Sequence, residues 1–136
     1  MKVLVDTSIW SVALRHSISK DESEEIKEQL YTLIEDARVA MIGPIRQEIL
    51  SGIKLEAQFN RLKKRLEPFR DIPLETDDFI LAAKFFNRYR SKGIQGSHID
   101  FLICAVSSRN KFPLFTTDND FRQYKKHIDF LLFNEL

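Results

Sequence analysis

Lys2-Val3-Leu4-Val5-Asp6-Thr7-Ser8-Ile9-Trp10 runs three apolar residues straight into an aspartate. Such a run, partly β-branched, predicts a short strand covered on both faces, because a half-exposed strand would alternate apolar with polar. Val39–Ile42 and Leu114–Thr116 read the same way, and Ile128–Phe133 is expected to be a final strand. Helical signals separate them. Ser19-Lys20-Asp21-Glu22 has the capping-box pattern and opens a helix to about Ala37, with Ile26, Leu30, Leu33 and Ile34 on one face. Gly43-Pro44 starts another, since proline suits the first helical position. Ala57–Phe69 predicts a basic amphipathic helix, and Ile72-Pro73-Leu74 a short extended link. Thr76 is expected to cap a helix that carries Phe79, Ile80, Ala83, Phe85 and Phe86 and stops before Gly93. Ser97–Ser108 is apolar almost all round, so it predicts a buried helix, and Asp118–Lys125 a short one. Strands alternating with helices imply βαβ units and a central parallel sheet. The expected architecture is a three-layer α/β/α sandwich.

The chain has 136 residues, the size of one domain, and 43% of them are hydrophobic, enough for one core. Charged residues make up 30%, but 21 Lys and Arg stand against 20 Asp and Glu. Bulk positive charge therefore cannot hold nucleic acid, and any such contact needs a local patch. Cys104 is the sole cysteine, which excludes an internal disulfide and a cysteine-built zinc site and suits a reducing compartment. Asp6 interrupts the apolar N-terminal run, which is too short to span a bilayer. No signal peptide or membrane segment is expected, and the expected location is cytoplasmic.

In an open parallel sheet, ligands bind beyond the carboxyl ends of the strands. Asp6 follows the first strand directly, and Asp118 follows Leu114-Phe115-Thr116-Thr117. Either could equally be the N-cap of the helix after it. Glu48 falls at the rim of the face expected from Ile45, Ile49, Gly52 and Ile53, where a carboxylate loses hydration and needs a partner. Asp100 is conspicuous, an acid in the first turn of a helix that is otherwise apolar. Ser97 and Asp100 together resemble a capping box, although aspartate reaches back less well than glutamate. Clustered carboxylates repel and raise one another's pKa values unless a cation joins them. Oxygen ligands without cysteine or paired histidine select magnesium or manganese over zinc. That is chemistry for phosphodiester hydrolysis.

These residues resemble a known family. Val-Leu-Val-Asp6-Thr-Ser-Ile-Trp is similar to the opening of PIN domains. Arg-Gln-Glu48-Ile-Leu-Ser-Gly, Ile-Asp100-Phe-Leu-Ile-Cys-Ala and Phe-Thr-Thr-Asp118-Asn-Asp-Phe resemble its remaining acidic motifs, in order. The compact length is similar to VapC-type toxins of bacterial toxin–antitoxin pairs. The resemblance implies a magnesium-dependent endoribonuclease acting on single-stranded or loop RNA, a homodimer, and a cognate antitoxin whose tail fills the active-site groove. Carried over by position, Asp6 and Asp100 would be direct metal ligands, with Asp118 completing the site directly or through water. Glu48 would hold a water on the metal or a second ion. Thr7 and Ser8, or Thr116 and Thr117, would hydrogen-bond the carboxylates or the scissile phosphate. Cys104 departs from the small residue usual in the family helix and reads as a buried hydrophobe.

Other residues have plainer readings. Arg61, Lys63, Lys64 and Arg65, with Arg88, Arg90 and Lys92, form charge runs of the kind that ordinarily face solvent. Arg15 and Arg46 are the better candidates for phosphate contact. Asp120 reads as solvent-facing, and His98 as a satisfied polar residue. Two rival classes compete with this reading, a phosphotransfer or receiver domain and a PIN fold without a toxin role. A haloacid-dehalogenase-type phosphotransferase needs a second acid two residues after the first, and position 8 is serine. A phospho-receiver needs a lysine after a later strand, a pattern not visible here. A PIN fold serving as an RNA-processing or RNA-binding module without a toxin role is the remaining alternative.

Overall fold

A computed structural model describes residues 1–14 and 21–135 of the chain. The Ser19 cap and Arg15 lie outside the described residues. At the centre is a three-stranded parallel sheet in the order β2-β1-β3. Its strands are β1 (Val3–Val5), β2 (Val39–Ala40) and β3 (Leu114–Phe115). Val3, Leu4 and Val5 are fully buried although their side chains alternate between faces, so helices cover both sides of β1. The layered α/β/α arrangement follows.

The helices are α1 (Thr7–Leu14), α2 (Asp21–Glu35), α3 (Gly43–Leu50), α4 (Glu56–Leu66), α5 (Thr76–Ser91), α6 (His98–Asn110) and α7 (Asp120–Lys125). Each strand feeds a helix or a helix-leading loop at its carboxyl end. α6 is the buried helix the sequence predicts, with every residue from Phe101 to Ser107 inside. α2 turns Leu30 and Leu33 into the core, with Ile26 and Ile34 half-buried beside them.

Four expectations need correction. The cap of α5 is Glu75, one residue before Thr76: its carbonyl accepts the Asp78 N–H at 3.0 Å, and the Asp78 carboxylate accepts the Glu75 N–H at 2.8 Å. The inward face of α5 is Asp78, Ala82, Phe85 and Tyr89, while Phe79 and Ile80 face out. α3 ends at Leu50, so Gly52 and Ile53 are not on its buried face. Gly52 has φ +85° just past the C-cap Ser51, a left-handed turn that suits glycine.

The fourth concerns Ile128–Phe133, which is not a strand. Its burial alternates as a strand would, but only Leu132 bridges Leu114, and the chain then enters a 3-10 turn at Phe133–Glu135. The reason lies before β3, where the left-handed turn at Lys111 ends α6 and leaves residues 128–131 no extended neighbour to pair with. On the other edge Asp71 bridges Met41, and Pro73, lacking an N–H, ends that pairing two residues later.

Candidate active site

The register of β1 on β3 sets the site. Val5 pairs with Phe115, and the Asp6 N–H donates to the Phe115 carbonyl at 2.9 Å. The residues that follow on each strand, Asp6 and Thr116, are therefore neighbours at the carboxyl edge. Asp6 is buried to 6% exposure. Its carbonyl accepts the first α1 bonds, from Ile9 and Trp10, so its backbone does occupy the cap position. Its carboxylate does something else. Oδ2 accepts the Thr116 hydroxyl at 2.8 Å and the Ser8 hydroxyl at 2.9 Å, and Ser8 also accepts the Thr117 N–H at 3.1 Å.

The other acids are fixed in a similar way. Thr7 donates to Oε1 of Glu48 at 3.1 Å, tying α3 to the start of α1. Asp118 Oδ1 accepts the Asp120 N–H at 2.9 Å, and the Asp118 N–H donates to Thr116 Oγ1 at 3.0 Å. The capping reading of Asp118 is thus partly realised, as an Asx-type turn into α7. The Asp100 N–H donates to Ser97 Oγ at 3.0 Å, so Ser97 is the cap of α6, and Oδ2 of Asp100 accepts the Tyr124 hydroxyl at 3.2 Å. The remaining oxygens of Asp6, Glu48 and Asp118 have no protein donor among the described residues.

The carboxylates feel one another. Burial raises the Glu48 pKa; the Thr7 hydrogen bond opposes this, and the charges of Asp6 and Asp100 add to it. Burial likewise raises Asp100; hydrogen bonds from Tyr124 and Ser97 oppose it, and the Asp118 charge adds to it. No cation is among these causes. Among the described residues, no three His, Cys, Asp or Glu side chains stand close enough to hold an ion as they are. The donor set still fits magnesium. It is all oxygen and mutually repelling, and this ion keeps several waters and needs only one or two carboxylates. Cys104 is fully buried with its thiol pushed up by burial, so it does not join the donor set.

The family model of the PIN domain matches residues 3–127. The chain belongs to the PIN-domain family. No curated protein sequence matches it. Solved structures do resemble this PIN domain in fold. FitAcB from Neisseria gonorrhoeae superposes with a TM-score of 0.73 at 22% identity, over 90% of this chain and 93% of that one. VapBC2 from Rickettsia felis, bound to a DNA fragment from its promoter, gives 0.73 at 18% identity, over 97% and 96%. VapBC-5 from Mycobacterium tuberculosis, a member of the VapBC family of toxin–antitoxin systems, gives 0.66 at 19%, over 96% and 98%.

Several residues of the PIN domain do other work than the sequence suggests. Arg46 is engaged structurally rather than available for phosphate. Its Nε donates to Asp71 Oδ1 at 2.9 Å, Nη1 to the Leu66 carbonyl at 3.0 Å, and Nη2 to the Phe69 carbonyl. It thus closes the C-terminal end of α4. Arg46→Ala is expected to lower the unfolding free energy by about 1–2 kcal/mol in urea melts, with divalent-ion affinity unchanged. His98 is exposed and stacks on Phe86 at 4.5 Å. Arg88 donates to the His127 carbonyl, while Arg61, Lys63, Lys64 and Arg65 are exposed on α4. Asp120 is exposed.

Tyr124 is the contact the sequence reading missed. The signal was present: Phe121 and Tyr124 lie three apart on one face of α7, and a buried tyrosine needs a partner for its hydroxyl.

Proposed function

We propose that residues 1–136 act as one PIN nuclease domain, cutting single-stranded or loop RNA such as transfer RNA in a magnesium-dependent reaction. We further propose that it is the toxin of a type II toxin–antitoxin pair. The observation that carries the nuclease reading is the hydroxyl-braced aspartate at the edge of a PIN-family sheet, electrostatically coupled to the other acids.

Asp6 and Asp100 would hold magnesium, and Asp118 would complete the site directly or through water; manganese would substitute. When bound, the ion would offset the clustered charge, orient the phosphate and favour ionisation of the attacking water. The chain's own residues do the rest. Ser8 and Thr116 fix Oδ2 of Asp6, which keeps that carboxylate aimed. Thr7 fixes Oε1 of Glu48, leaving Oε2 to orient the attacking water and accept its proton. Burial, with the charges of Asp6 and Asp100, raises the Glu48 pKa, the direction that suits a general base.

The toxin role rests on likeness to VapBC-5 and VapBC2, which at 19% and 18% identity is a likeness of fold. On this reading the partners are RNA, a cognate antitoxin whose tail fills the active-site groove, and a second copy in a homodimer. The location is cytoplasmic; among the described residues no helix is long and apolar enough to cross a membrane.

Purified protein freed of any partner is expected to cut single-stranded or loop RNA with magnesium or manganese and to stop in EDTA. Expression alone should arrest bacterial growth, and co-expression of a cognate antitoxin should relieve it. Full cleavage in EDTA overturns the metal mechanism. Harmless expression alongside robust cleavage overturns only the toxin role and leaves an RNA-processing nuclease.

A further inference from the structure

Tyr124 is fully buried on α7, the helix that follows Asp118. Its ring is packed by Tyr89 at 5.6 Å, Phe101 at 5.0 Å and Phe121 at 5.5 Å. A phenylalanine would fill that space without burying a polar atom, so the hydroxyl requires a reason. Its single proton has two acceptors in reach, Asp100 Oδ2 at 3.2 Å and the Gln95 carbonyl at 3.4 Å. The carboxylate is the nearer, and a bond to a charged acceptor is the stronger kind.

Space beside the hydroxyl is kept clear at Gly96. A Cβ added to Gly96 would stand 2.7 Å from the Tyr124 oxygen and 2.8 Å from two ring carbons of Phe101. Gly96 is not among the glycines with positive φ, which are Gly52 and Gly93. Space rather than backbone conformation demands glycine there. Tyr89 donates its hydroxyl to the backbone carbonyl of Tyr124, a bond to the α7 main chain that leaves the Tyr124 hydroxyl to Asp100. The contact between Tyr124 and Asp100 is therefore built from three separate features, a locked ring, a vacated position and a hydroxyl within reach of the acid.

Resting on the reading of Asp100 as a magnesium ligand, we propose that Tyr124 is a positioning residue of the metal site. Its hydroxyl fixes Oδ2 of Asp100 and so sets the orientation in which that carboxylate would meet the ion, and Gly96 provides the room for it. Tyr124 touches neither ion nor substrate on this account. Its loss acts through the orientation of the carboxylate.

The test is manganese binding, read by the electron paramagnetic resonance of the free ion, on the full chain and without any RNA. Tyr124→Phe keeps the ring and is expected to fold normally in EDTA, yet to bind manganese about 10-fold more weakly, the scale of losing one outer hydrogen bond to a ligand. Gly96→Ala, which displaces the hydroxyl, should weaken binding in the same direction. Tyr89→Phe removes a buried hydroxyl from the same aromatic group without touching Asp100. Its affinity should stay within about two-fold of wild type.

Equal affinity in Tyr124→Phe and wild type overturns the proposal. So does an equal loss in Tyr89→Phe, which would make the effect a general loosening of the aromatic group. Should Tyr124→Phe fail to fold, Gly96→Ala against Tyr89→Phe carries the same comparison. A wild type that binds no manganese is a different result. It removes the reading of the acids as a metal site, and the role of Tyr124 with it.

Discussion

Asp100→Asn is expected to lower RNA cleavage by about 100-fold or more at saturating magnesium, the scale of removing a group that holds or orients a catalytic ion. The substitution is close to isosteric, and the structure indicates why the fold should survive it. The Asp100 N–H keeps its bond to Ser97 Oγ, so the cap of α6 is intact. The amide oxygen of asparagine can still accept from Tyr124 in the place of Oδ2. What disappears is the negative charge. Asp6→Asn should fall by a similar factor, since its oxygen can accept Ser8 and Thr116 while its NH2 replaces the second carboxylate oxygen. Single-turnover cleavage of a loop RNA, with circular dichroism as the control for folding, measures both. An Asp100→Asn protein that cleaves like wild type removes Asp100 from the mechanism.

The parts of this site legible in the sequence are those set by strand order and strand ends. Val3-Leu4-Val5 could be read as a central strand because three successive buried residues need cover on both faces. Asp6 and Thr116 follow paired residues of neighbouring parallel strands, so any correct sheet brings them together. The two hydroxyls that follow Asp6 supply bracing that the family resemblance implied, Ser8 to Asp6 itself and Thr7 across to Glu48.

What escaped the sequence depends on contacts between distant segments. Arg46 precedes Glu48 by two residues, yet the α-helix turns it about 200° away, toward the carbonyls at the end of α4. Tyr124 lies 24 positions from Asp100 and reaches it only because α7 packs across the start of α6. The Ile128–Phe133 segment kept the two-residue period of a strand, but period alone does not supply a partner backbone.

Magnesium is expected to reverse the melting order of wild type and the Asp100→Asn protein. Without metal, burial holds Asp100 and Glu48 above the ordinary carboxylate range, with neighbouring acids adding to the rise. A raised folded-state pKa on an acid contributes stability that is fully present below the unfolded pKa. That stability is lost as pH rises from the unfolded value through the folded one. At about pH 7–8 the ionised, clustered acids therefore work against the fold. Asn at position 100 removes one of those charges. Solvent reaching the site screens the repulsion, so the gain in EDTA is a fraction of a kcal/mol, a rise in Tm of about 1–3 °C.

With magnesium at about 100 times its Kd, the intact site gains roughly 2.7 kcal/mol by mass action, about 10 °C for a domain of this size. The Asn variant, with its affinity impaired, gains little and becomes the less stable of the two. An aspartate that served only to organise the α6 terminus would behave otherwise, costing about 1 kcal/mol on removal with or without metal. Calorimetric melts of both proteins, in EDTA and in millimolar magnesium, separate these cases. If Asp100→Asn melts lower in EDTA and magnesium moves neither protein, Asp100 is structural and the metal site does not exist.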